Sequence, residues 1–214
     1  MLFAVYMVFV YAPVERTMGI VQKIFYFHVP SAWIAFLAFF CVFLFSIVYL
    51  MRREKKWDDL ASSSAEVGVL FCSLVLITGP IWAKPVWGVW WTWDSRLTLT
   101  LVLWLLYVGY MMLRYYVADP EKKATLSAVV GIIGFIDVPL VYLSIRWWRT
   151  QHPSPVMAGG SDSGLDPDMA RAFFTCLAAF TILFVYLLMK RVKLEKLREE
   201  LDGLQERVEE THPK

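Results

Sequence analysis

The side chains most capable of chemistry in this 214-residue chain gather in a few places. The stretch from Trp82 to Arg96, reading WAKPVWGVWWTWDSR, sets five tryptophans (Trp82, Trp87, Trp90, Trp91 and Trp93) among Lys84, Pro85, Gly88 and Asp94. Indole is broad, flat and apolar with one N–H donor, so such a cluster makes a platform for a flat or amphipathic ligand more readily than a reaction centre. The competing reading is an interfacial aromatic belt, although belt residues are usually scattered over several helix ends. His28, in YFHVPSAW, and His152, just beyond Trp147, Trp148 and Arg149, are the other candidates, while His212 lies in the charged C-terminal stretch. Two imidazoles beside an indole platform suit haem, whose iron accepts axial histidines and whose apolar macrocycle carries two carboxylates at one edge. Arg96, Arg146, Arg149 or Lys84 could pair those carboxylates, arginine being better shaped for a bidentate bond. The plainer alternative for each histidine is a hydrogen bond at a helix end. Asp94 has no nucleophile or second acid near it in sequence, so a salt bridge to Arg96 or a bond to backbone is its economical role.

The elements that position these residues are expected to be membrane helices. A hydrophobic share of 58% and a mean hydropathy of +0.53 are far from those of a soluble domain. Residues 1–12 are apolar but short of the ~20 that a spanning helix requires, so they read as a clipped or tilted first span. Pro30 and Ser31 mark the start of a second span, Ser31 to Met51, which would leave His28 in a connection. A third, Ala61 to Trp82, is expected to break at Gly79-Pro80. Arg96 to Val117 makes a fourth, Lys123 to Ile145 a fifth interrupted by Asp137 and Pro139, and Met169 to Met189 the last. Asp137 is expensive at that depth unless paired, capped to the proline kink or hydrated. The fold class is therefore all-α, a polytopic membrane protein of six transmembrane helices over residues 1–189, with the tryptophan-rich loop (82–96) and a second loop (146–167) on one face.

Lysine and arginine crowd the opposite loops, at Arg52, Arg53, Lys55, Lys56, Arg114, Lys122, Lys123 and from Lys190 onward. The positive-inside rule makes that side cytoplasmic, with both termini, and puts His28, His152 and the tryptophan loop on the outer face. In the tail, 190–214, the positions Leu194, Leu197, Leu201, Leu204 and Val208 alternate spacings of three and four, as in a short coiled-coil seam. Cys41, Cys72 and Cys176 lie singly in apolar runs and read as packing residues, which excludes a zinc or dithiol site. There is no C-x-x-C-H haem-attachment motif, no G-x-x-x-x-G-K-[ST] nucleotide loop and no basic patch interleaved with aromatics for nucleic acid.

The run WGVWWTWDSRLT, Trp87 to Thr98, resembles the "WWD" signature of the haem-handling proteins of cytochrome c maturation, the CcmC/CcmF/CcsA family, and its ending is closer to the CcmC branch. YFHVPSAW (Tyr26 to Trp33) and VPLVYLSIRWWRTQHPS (Val138 to Ser154) agree, in the same order, over nearly the whole chain. The resemblance implies a bacterial inner-membrane protein, not an enzyme, in which His28 and His152 are axial ligands of haem b at the periplasmic surface. It implies that Trp87, Trp90, Trp91, Trp93 and Asp94 support the macrocycle, with Arg96, Arg146 and Arg149 as candidates for the propionates. It further implies delivery of that haem to the chaperone CcmE, in a complex with CcmD and the ATP-binding-cassette pair CcmA and CcmB. Three other classes compete. A secondary transporter should show repeated halves, and no convincing repeat is present. A membrane electron-transfer protein should hold its histidines within the spans rather than in loops. A cofactor-free assembly factor would contain no haem when purified.

Overall fold

An apolar chain that must satisfy its backbone away from water has the helix as its economical form. The computed structural model, which describes residues 1–148, 152 and 164–211, is helical, with no strand among those residues. Five helical runs are long and apolar enough to cross a membrane: Ile20–Arg52, Lys55–Trp87, Ser95–Tyr116, Pro120–Trp147 and Pro167–Gln205. The expected sixth is the short apolar helix α1, Leu2–Tyr11, which does not reach that length. Its Ala4 and Val8, with Ala12 just beyond its end, share a buried cluster with Phe25, Met169 and Phe173. The Lys23 amine reaches back to donate to the Val8 carbonyl at 2.8 Å, so a buried lysine closes the end of α1.

Helix α2, Phe25–Arg52, begins six residues before the expected Ser31 and continues a 3-10 turn over Ile20–Ile24. Pro30 therefore sits inside the helix, and His28 is helical rather than in a connection. A proline this near a helix start removes one backbone donor only, and the Ser31 hydroxyl bonds the Phe27 carbonyl at 2.7 Å beside it.

Helix α3, Lys55–Trp87, likewise runs through Pro80 and Pro85 without the expected break. It is held along its length by α2. Ala61, Ala65 and Cys72 of α3 share one buried cluster with Ala35, Ala38 and Phe39 of α2, and small residues of this kind let membrane helices approach closely. At Gly68 the approach is so tight that a Cβ would lie 2.6 Å from Phe39 Cε1.

Helix α4, Ser95–Tyr116, packs on this pair through Phe39 and Tyr107, whose rings stack at 3.8 Å. The next run divides into α5, Pro120–Phe135, and α6, Asp137–Trp147, at the step that Pro139 forces. Asp137 opens α6, where the helix dipole favours a carboxylate. The last helix, α7, Pro167–Thr211, is continuous, so the tail prolongs the final span. The seam positions Leu194 to Val208 are exposed along it. Arg191 bonds Glu66 and Lys55 bonds Glu199, tying the base of this extension to α3.

Candidate functional site

The chain ends of α2, α3, α4 and α6 that meet at one end of the bundle, with the start of α7, enclose two adjoining cavities. The smaller, about 80 Å³, is lined by Ala32, Phe36, Leu76, Trp87, Trp91 and Thr100 among others. The larger, about 430 Å³, is lined by Glu15, Gln22, Trp33, Tyr142, Asp166 and Met169 among others. His28, Trp82, Arg96 and His152 line both. The larger alone falls within the usual range for a small-molecule site, and its walls are mainly apolar with a few convergent polar groups.

Helix α3 fixes His28, which is only 7% exposed. Its Nδ1 lies 2.8 Å from Thr78 Oγ1, its ring meets that of Trp82 edge-on at 5.8 Å, and Gly79 leaves room for its Cε1 edge. His152, half-buried, reaches the same cavities from the connection after α6. Two imidazoles separated by more than a hundred residues thus meet across one space.

Arg96 stands in the first turn of α4. Its buried Nη1 has no hydrogen-bond partner among the described residues, and neither do the indole N–H groups of Trp82 and Trp91. Donors of this kind inside a cavity are suited to an anionic or acceptor-bearing ligand. Asp94, two residues earlier, is the N-cap of α4: its carboxylate accepts from the Leu97 amide at 3.0 Å and from the Thr92 hydroxyl at 3.1 Å. It lines neither cavity, and the cap is what aims Arg96.

The tryptophans divide by position. Trp82 and Trp87 belong to the last turns of α3, which Gly88 ends in the left-handed conformation at φ 77°. Trp91 faces the smaller cavity, whereas Trp90 and Trp93 lie outside both, 57% and 75% exposed. Lys84 is engaged in closing the turn, donating to the Gly88 carbonyl at 2.8 Å with its amine over the Trp90 ring. Arg146 lies exposed in the last turn of α6 and lines neither cavity, and Arg149 is outside the described residues. On the far side of the larger cavity, Glu15 accepts from the Thr17 and Met18 amides, and the Met18 bond foremost holds its carboxyl below the usual carboxylate range.

A family model described as heme exporter protein C, CcmC, matches residues 1–207. The chain belongs to the CcmC family. Among relatives named heme exporter protein C, one from Bradyrhizobium diazoefficiens is 37% identical over 91% of this chain and 74% of its own length. One from Rhodobacter capsulatus is 32% identical over 93% and 83%, and one from Escherichia coli K12 is 30% identical over 86% and 74%. Within this CcmC-family chain the residues that sequence reading passed over are Thr78 and Gln22, and Gly79 stands beside His28 instead of breaking the helix. Thr78 and Trp82 are one helical turn apart, so they share a face. That signal is visible in the sequence only if α3 is carried through Pro80.

Proposed function

We propose that the chain binds haem b between His28 and His152, on the periplasmic side of the bacterial inner membrane, and passes it on without altering it covalently. The observation that carries this reading is that the two imidazoles and the buried guanidinium of Arg96 line the same pair of cavities. The donor set fits the cargo. Neutral imidazole is an axial ligand for haem iron, the apolar walls accept the macrocycle, and Arg96 offers a fork to a propionate. Trp87 and Trp91 line the cavity as part of the indole support, with Trp90 and Trp93 forming its exposed margin. Arg146, in the last turn of α6, and Arg149, outside the described residues, precede His152 in sequence and are the further candidates for the propionates.

The outer-face assignment rests on the crowding of lysine and arginine at the other end of the bundle. The recipient would be the chaperone CcmE, and the working assembly would include CcmD with the ATP-binding-cassette pair CcmA and CcmB. The chain contains no nucleotide-binding loop of its own, so the energy for release would come from that pair.

Burial of His28 inside α2 removes one argument against a membrane electron-transfer role, since that histidine is not in a loop after all. Delivery is still the better reading because His152 lies beyond α6 in a connection, where exchange of a ligand requires no helix to open.

The test is the visible absorption spectrum of the purified protein, wild type beside His28→Gly and His152→Gly, with imidazole added back. Loss of the six-coordinate haem spectrum in each variant, restored by imidazole, is expected. Wild-type spectra in both variants, or normal c-type cytochrome levels in cells carrying either one, would overturn the ligand assignment.

A further inference from the structure

We propose that Thr78 is a positioning residue that holds His28 in its Nδ1–H tautomer, so that Nε2 is the nitrogen offered to iron. This rests on the haem reading above and adds to it the residue that prepares the ligand.

The Thr78 hydroxyl has one proton. Its Oγ1 lies 2.7 Å from the Leu74 carbonyl, in the position of a hydroxyl bonded back one turn along its own helix. Two oxygens at that separation with no proton between them would repel, so the proton lies toward Leu74. Oγ1 is then an acceptor on its other side, where His28 Nδ1 stands 2.8 Å away. Only a protonated Nδ1 makes that contact favourable. In a neutral imidazole one nitrogen carries the proton and the other the lone pair, so the lone pair falls to Nε2. The chain Leu74 carbonyl, Thr78 hydroxyl, His28 Nδ1–H is the relay commonly seen behind a metal-bound histidine, with a threonine hydroxyl in place of the usual carboxylate or backbone carbonyl.

The surroundings make the relay selective. Trp82, one turn after Thr78, meets the His28 ring edge-on, so the ring is held by two residues of α3, while Gly79 leaves space beside its Cε1 edge. Thr78 lines neither cavity, and its effect on any ligand therefore passes through His28. A hydroxyl also makes a weaker partner than a carboxylate. It directs the proton without adding charge, which suits a ligand that must let go of its iron.

The test uses the full chain in lipid bilayers with ¹⁵N-labelled histidine, the His28 signals being assigned by difference from His28→Gly. In the wild type, His28 should show a protonated Nδ1 and an unprotonated Nε2. Thr78→Val, close in shape but without the hydroxyl, should lose that preference, and Thr78→Ser should recover it. In parallel, titration with ferric haem should give an affinity for Thr78→Val lowered by ~10–100-fold, the usual cost of removing such a relay, with a spectrum of mixed coordination. Thr78→Ser should return both to wild type. Thr78→Ala, which removes the acceptor with less bulk, should behave as Thr78→Val and replaces it if that variant does not fold. Retention of the Nδ1–H tautomer, or of wild-type haem affinity, in the valine and alanine variants would overturn the inference. Haem binding unaffected by His28→Gly would instead overturn the ligand role of His28 itself. The two failures are told apart because the tautomer is read without haem.

Discussion

Three partly buried arginines, two at one end of the bundle and one at the other, are handled in opposite ways. Arg114 forks onto Asp58 with contacts of 2.5 and 2.8 Å, and Arg191 bonds Glu66 and Glu195. Arg96 makes no ion pair among the described residues, the Asp94 carboxylate acting on it only at longer range, and its Nη1, like that of Arg191, is buried without a hydrogen bond. Taking a guanidinium out of water is tolerable only where an anion meets it. At the first end that anion belongs to the protein, and the pairs bolt α3 to α4 and α7. At the other Arg96 faces two cavities, and on the haem reading its acceptor would come from the ligand. The comparison teaches that a partly buried arginine engaged in an ion pair within the chain serves the fold, whereas one left without such a pair beside a cavity is the group to test for ligand binding.

Breaking a pair at the closed end should cost most. Asp58→Ala strands the Arg114 guanidinium beside a carboxylate site that is 7% exposed, and should destabilise the fold by ~3–5 kcal/mol. Unfolding of the detergent-solubilised protein measures this, and haem bound per folded molecule should not change. A loss of haem capacity with unchanged stability would show that the two ends are not separate in role.

Arg96→Leu tests the converse. It removes an unpaired charge, so stability should hold or rise, while haem affinity should fall by ~1.5–3 kcal/mol if a charged hydrogen bond to a propionate is lost. Titration of the purified variant with ferric haem decides it, and undiminished affinity would move the propionate contact to Arg146 or Arg149. Between the two ends, Gly68→Ala should cost ~1–3 kcal/mol through its clash with Phe39, a ring already stacked on Tyr107. Thermal unfolding measures that effect, and it should spare haem affinity.

The smallest effect is expected within the tryptophan stretch. Trp90→Phe and Trp93→Phe should leave haem affinity near wild type, while Trp87→Ala and Trp91→Ala should lower it, since only the latter two line the cavity. Equal losses from all four would return the cluster to a single platform and would require the loop to close over its ligand.

Much of the fold was legible because the bilayer constrains a chain more simply than water does. Long apolar runs and charged punctuation, read from composition and spacing, locate the five long helices, although α2 and α3 each begin six residues before the expected start and the first run is too short to span. The departures occur at prolines. Pro30 reads locally as a helix start and Pro80 as a break, yet α2 and α3 run through them, and α3 continues past Pro85 as well. A proline removes one donor, whereas the close contact of α2 with α3 through Gly68 and its small neighbours holds the whole length. The short α1 departs for a related reason: it packs on α7 and is closed by Lys23, a residue from the next element, and no local signal announces either contact.

The site divides in the same way. The residue types by themselves determined that His28, His152 and the tryptophan stretch belong to one end of the molecule, because helix count and charge asymmetry set the side on which each connection falls. Only the tertiary structure decided that Trp90 and Trp93 stand outside the cavities, that Asp94 caps α4 and aims Arg96 instead of lining the site, and that Thr78 holds His28. The physical reason is that membership of an end follows from one-dimensional order, whereas the direction of a side chain depends on helix phase. Phase accumulates residue by residue through every proline that the packing overrides, and no single residue type announces it.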